Sequence, residues 1–149
     1  MSKVELPELP ELIELEHIIS EGAAHLDARV VCQVAVAERQ FPVHAIMLGS
    51  PGLDVPAVGF FGGVHGLERI GAQVLIAYLR SLVMRLQWDS VLHRQLESVR
   101  LVFMPLVNPG GIWQGTRANP NGVDLMRNAP LDSGERVTFL IGGQRISAG

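Results

Sequence analysis

At 149 residues the chain has room for one domain with a sizeable core, and 48% of its residues are hydrophobic against only 18% charged. A net charge of −3 excludes the basic face that nucleic-acid binding requires, and no apolar run approaches the roughly 18 residues needed to span a bilayer. The single cysteine, Cys32, forms no internal disulfide and sits in an apolar run, so a buried, inert thiol is expected.

The start, Met1-Ser2-Lys3-Val4-Glu5, leads into acidic amphipathic sequence and lacks the apolar core of a signal peptide, which favours a cytoplasmic location. Between residues 4 and 19, Leu9, Leu12, Ile13, Leu15 and Ile19 alternate with Glu8, Glu11, Glu14 and Glu16 at helical spacing, with Pro7 and Pro10 in the first turns. The carboxylates suit the positive end of the helix dipole, and a solvated acidic face is expected. Residues 29–37 and 41–48 read as two β-branched strands joined as a hairpin around Glu38-Arg39-Gln40.

Residues 56–62 form a short apolar run suited to a buried strand. A helix is expected over about 68–86, where Ile70, Val74, Leu75, Leu79, Leu82, Val83 and Leu86 recur at helical spacing. A second helical piece covers 89–97, and 99–107 reads as another buried strand. Strand, helix, strand with short connections implies a right-handed crossover. The fold class is therefore α/β, with a mixed, largely parallel sheet flanked by helices in a single domain over 1–149. A further short strand is expected at 137–141.

In open α/β sheets ligands gather at the carboxyl ends of strands. Two loops have that location: Gly62-Gly63-Val64-His65-Gly66-Leu67-Glu68, and the segment from Asn108 to Asn128, whose many Gly, Pro and Asn residues argue against regular structure. His65 and Glu68 form a His-x-x-Glu pair able to offer one ion a nitrogen and an oxygen, a combination compatible with zinc. The competing account is a surface histidine beside a helix-capping glutamate.

Arg117 and Arg127 flank Asp124 in the second loop. Planar guanidinium groups bind two oxygens at once and suit a substrate carboxylate or a developing oxyanion. Asp124 has the chemistry to accept a hydrogen bond from the non-ligating nitrogen of His65 and so orient the ring. The alternative is that both arginines are structural partners of acids such as Asp124.

Taken together, Gly-Gly-Val-His65-Gly-Leu-Glu68, then Asn108-Pro109-Gly110-Gly111, then Arg117 leading to Gly122-Val123-Asp124-Leu125-Met126-Arg127-Asn128 resemble the zinc carboxypeptidases of the carboxypeptidase A family across about residues 56–130. The resemblance implies zinc as cofactor, with His65 and Glu68 as two of three metal ligands, in keeping with the His₂Glu type of catalytic zinc site. It implies that Asp124 orients His65, that Arg117 polarises the scissile carbonyl and steadies the oxyanion, and that Arg127 holds a terminal carboxylate. The family usually has Asn where Met126 stands, so one amide donor to that carboxylate is missing here.

The implied activity is hydrolysis of a C-terminal peptide bond through a metal-activated water. Zinc-dependent deacylation of N-acyl amino acids, or a non-catalytic binding module on the same fold, are the alternatives. The partner is a peptide or N-acyl amino acid with a free carboxylate. The family draws its third ligand, a histidine, and its general base, a glutamate, from later in the domain. None of His17, His25, His44 and His93 matches that position, and neither Asp132 nor Glu135 is assigned as the base. The expectation is thus an apparently truncated amino-terminal portion of a catalytic domain, inactive by itself and prone to homo-oligomerise through uncovered apolar surface.

Overall fold

The computed structural model describes residues 8–129. Helix α1 (Pro10–Glu21) opens with proline at its first position, where the missing N–H costs nothing, and buries Leu12, Leu15 and Ile18 at intervals of three. It runs to Gly22, where an added Cβ would press on Leu26 and Val83. The expected solvated acidic face holds at Glu8 and Glu16, which are exposed, and is corrected at Glu11. Glu11 is only 4% exposed, because Arg69, far along the chain, arrives to pair with it: Nε donates to Oε1 at 2.7 Å and Nη2 to Oε2 at 2.6 Å. Glu14 likewise meets Arg80 at 3.0 Å.

Strands β1 (Leu26–Val36) and β2 (Arg39–Gly49) form the expected antiparallel hairpin. Its turn is tighter than the polar stretch suggested, since Arg39 and Gln40 already pair in the ladder and Ala37 takes a left-handed φ of 53°. The register shifts between Val30 and Cys32, and β1 is an edge strand that pairs on one side only among the described residues. Cys32 is therefore exposed, not buried as expected.

Strand β3 (Ala57–Phe61) runs parallel to β4 (Arg100–Met104), from Ala57 opposite Arg100 to Phe61 opposite Met104. The sheet order is β1-β2-β4-β3. The sheet is mixed as expected, and its parallel part in the described residues is the β3–β4 pair. β4 is central and buries Phe103 completely. The expected burial of β3 is corrected: only Phe60 is half-buried, stacked on Phe103 at 4.7 Å, because β3 lies at the other edge.

Helix α2 (Arg69–Arg85) crosses from β3 and buries Ala72, Ile76, Leu79, Leu82 and Val83. Ile70 and Val74, expected on its apolar stripe, face outward instead. Helix α3 (Ser90–Leu96) is capped by Asp89, whose Oδ1 accepts from the backbone N–H of Val91 and Leu92, both at 3.0 Å. One continuous core joins α1, α2 and α3 to the inner residues Phe41, Ile46, Leu48 and Phe103 of the sheet. The loop expected after β4 contains helix α4 (Pro109–Gln114), with proline at its first position and Asn108 as cap. Two glycines did not prevent a short helix whose first turn is so well set. The strand expected at 137–141 lies outside the described residues.

Candidate metal and carboxylate site

Beyond the last pair of the β3–β4 ladder the two chains stay side by side. Gly62 N–H donates to Met104 at 3.0 Å, Val107 N–H to Gly62 at 3.0 Å, and Asn108 N–H to Gly63 at 2.9 Å. The two loops singled out in the sequence therefore leave the sheet together, at one edge. Gly63 holds a φ of +61°, and at Gly66 the backbone of Gly111 and Thr116 occupies the space any Cβ would need. These close approaches press the histidine-bearing turn onto α4.

Glu68 N–H closes that turn on the His65 carbonyl at 3.0 Å. It brings His65 Nδ1 within 3.3 Å of Glu68 Oε1, with the imidazole largely buried and the carboxylate exposed. The two atoms are thus close enough to share one ion. The far side of the ring meets Asp124, whose Oδ1 stands 3.4 Å from His65 Nε2. That nitrogen is buried and completes no hydrogen bond.

Asp124 is fully buried and gathers the second loop. Its Oδ1 accepts from the backbone N–H of Met126 at 3.1 Å and Arg127 at 3.2 Å. Its Oδ2 accepts from Arg117 Nε at 2.9 Å and lies 3.5 Å from Arg127 Nε. Burial alone would raise its pKa. The hydrogen bond from Arg117, the backbone N–H of Arg127 and the positive charges around it outweigh burial and hold it below the usual carboxylate range. A tight loop makes this possible: Asn119 Oδ1 accepts from Asn121 and Val123 N–H at 3.0 Å each, and Gly122 turns the chain at a φ of +77°.

Arg117 links the two loops. While Nε is held by Asp124, Nη1 lies 3.4 Å from Glu68 Oε1. His65, Glu68, Arg117 and Asp124 therefore form one connected group, with Arg127 attached through Asp124. The structural role allowed for the arginines is present as well, since both approach Asp124. Met126 is largely exposed beside them.

A cleft of about 530 Å³ lies on the β3 side of this group, lined by Phe61, His65, Leu67, Glu68 and Ile70 among others. The arginines do not line it. A second cavity of about 410 Å³ around His25, Ser50 and His93 belongs to a different part of the molecule and touches none of the site residues.

Two zinc ligands at about 2.1 Å and tetrahedral angles stand about 3.4 Å apart, and the spacing of 3.3 Å between His65 Nδ1 and Glu68 Oε1 fits that. Among the described residues no group of three or more His, Cys, Asp or Glu side chains is placed to hold a metal. The other histidines are engaged elsewhere. His17 meets Glu21 at 3.3 Å, His44 meets Glu16 at 3.5 Å, and His93 Nε2 meets the Leu86 carbonyl at 2.7 Å. His25 packs edge-on against His93 at 5.4 Å.

Sequence reasoning quoted Asn108 within a motif but gave it no role. Its side chain is buried between the two loops, and the Asn-Pro pair that starts α4 was the available signal.

A family model described as zinc carboxypeptidase matches residues 32–139. Carboxypeptidase SOL1 of Arabidopsis thaliana is 35% identical over 75 residues, which cover 50% of this chain and 15% of that protein. Carboxypeptidase E of Caenorhabditis elegans is 32% identical over 101 residues, covering 56% and 21% respectively. A metallo-carboxypeptidase structure from Burkholderia cenocepacia matches with a TM-score of 0.63 at 19% identity, over 78% of this chain and 31% of that one. At that identity the last likeness concerns the fold. The chain spans only a small part of each relative's length.

Proposed function

The chain belongs to the zinc carboxypeptidase family, and from that premise we propose that it supplies part of the site of a metallocarboxypeptidase-type hydrolase acting on the C-terminal bond of a peptide. The observation that carries this reading is the convergence of His65 Nδ1 and Glu68 Oε1, 3.3 Å apart, beside an Asp124-anchored Arg117.

In this reading His65 and Glu68 hold zinc. The metal, when bound, supplies Lewis acidity and lowers the pKa of a bound water towards neutrality. Asp124 keeps the His65 ring in place from its far side. Arg117, fixed through Nε, presents its remaining donors near Glu68, where a substrate carbonyl oxygen would gather charge; one such donor is worth about 3 kcal/mol of barrier. Arg127 receives the substrate's terminal carboxylate. Met126 offers no amide donor to that carboxylate, so anchoring there is weaker than in a site with Asn at this position.

Met126 also supports the second reading, zinc-dependent hydrolysis of an N-acyl amino acid. Release of C-terminal residues measured against N-acyl amino acid hydrolysis, in a protein spanning the relatives' full length, separates the two. Deacylation without peptide cleavage would overturn the first. A protein that binds such carboxylates and cleaves neither would be the non-catalytic module.

With two donors and no assigned base, these 149 residues alone are expected to bind zinc weakly and to turn over peptides negligibly. Robust turnover would contradict that. A cytoplasmic setting belongs to the same reading and rests on the lone Cys32, which leaves no internal disulfide. No helix among the described residues is long and apolar enough to cross a membrane.

The reading also includes self-association of the isolated chain. Phe61, Leu67, Ile70 and Val74 are exposed beside β3, which pairs on one edge only among the described residues. Light scattering showing a stable monomer at high concentration would contradict it.

A further inference from the structure

We propose that Asn108 is a positioning residue that sets the spacing between the His65–Glu68 donor pair and Arg117. The proposal rests on the metal reading above and names the part that keeps its two halves in register.

Asn108 is 2% exposed, and every polar atom of its side chain is committed. Nδ2 donates to the Val64 carbonyl at 3.2 Å and to the Ala118 carbonyl at 3.1 Å. Oδ1 accepts from the Gly111 N–H at 2.9 Å. Val64 immediately precedes His65, and Ala118 immediately follows Arg117. One carboxamide therefore ties the peptide beside the metal donor to the peptide beside the guanidinium, and its other end caps α4. The orientation of the amide follows from its partners, two carbonyls on one end and an N–H on the other.

No other side chain serves all three contacts. Aspartate keeps the acceptor for Gly111 but turns an oxygen towards two carbonyls. Serine has one hydrogen where two are needed. Glutamine adds a methylene where Gly111 already packs so tightly that an added Cβ would collide with the Asn108 amide. The backbone supports the same joint, with Asn108 N–H donating to Gly63 at 2.9 Å. The Ala118 carbonyl also accepts from Thr116 Oγ1 at 3.0 Å, so the loss of Asn108 leaves that carbonyl a partner and frees the loop to shift.

The test separates clamp from cap. Asn108→Asp keeps the cap acceptor and loses both clamps, and zinc titrated into the chain, followed by the His65 imidazole resonances, is expected to bind about tenfold more weakly while α4 stays folded. Asp89→Ala, which loses a cap remote from the site, is expected to bind zinc as the wild type does. Wild-type affinity in Asn108→Asp would overturn the proposal. If Asn108→Asp does not fold, the wild-type chain decides: slow exchange of the Asn108 side-chain amide protons, with couplings to the Val64 and Ala118 carbonyls, supports the clamp, and fast exchange without couplings overturns it. Should the wild type itself take up no zinc, the metal reading fails, and those same couplings still decide whether Asn108 clamps the loops.

Discussion

Two buried carboxylates, Glu11 and Asp124, each pair with arginine, and the difference between them separates scaffold from site. Glu11 is saturated. It meets one guanidinium through both oxygens, at 2.7 and 2.6 Å, with Gln73 Nε2 at 3.4 Å as a third partner, and it pins α1 to the first turn of α2. Asp124 is shared among Arg117, Arg127 and His65, at 2.9, 3.5 and 3.4 Å, and leaves His65 Nε2 buried without a completed hydrogen bond. A carboxylate with a closed set of partners is a joint. One divided among several groups of the proposed site would hold that site ready.

The sharpest way to break that contrast is to remove each carboxylate. Asp124→Ala leaves Arg117 without its buried partner and His65 without its support, and is expected to cost about 3 kcal/mol of stability together with about 10–100-fold in zinc affinity. Denaturant unfolding and calorimetric zinc titration measure the two. Glu11→Ala is expected to cost less, about 2 kcal/mol, because the Arg69 side chain left behind is 44% exposed and regains water. Its zinc affinity should be unchanged. A large loss of zinc binding in Glu11→Ala, or none in Asp124→Ala, would erase the distinction between joint and site.

Acid sharpens the comparison further. The hydrogen bonds from Arg69 hold Glu11 below its ordinary value of 4.5, so the folded state binds a proton less readily than the unfolded chain. The stabilisation is full above that value and is lost as pH falls through the depressed one. The stability gap between wild type and Glu11→Gln should therefore be constant near neutrality and close in acid. A gap that persists unchanged in acid would deny the ion pair its role. The smallest effect is expected at Asp89→Ala, where a lost helix cap costs about 1 kcal/mol with no change in zinc binding.

The same two residues show what the sequence discloses. Asp124 was legible because it sits between two arginines in a loop whose Gly, Pro and Asn content marks a site, and because the neighbouring motifs resemble a family. Glu11 was not, because its partner lies 58 positions away and nothing local distinguishes it from the acids around it. The hairpin followed from its two β-branched runs and the polar stretch between them, and α2 from periodicity. The exposure of β3 and Cys32 did not, because an apolar run reveals a strand but not whether the strand is an edge. Helix α4 was hidden under its glycines, although Asn108-Pro109 is a sound start for a helix.

The central claim is that the turn after β3 presents His65 and Glu68 to one metal ion. Calorimetric zinc titration of the wild-type chain against His65→Ala tests it most directly. One weak site in the wild type, abolished in His65→Ala, is the predicted result. Equal zinc uptake by both proteins would contradict it.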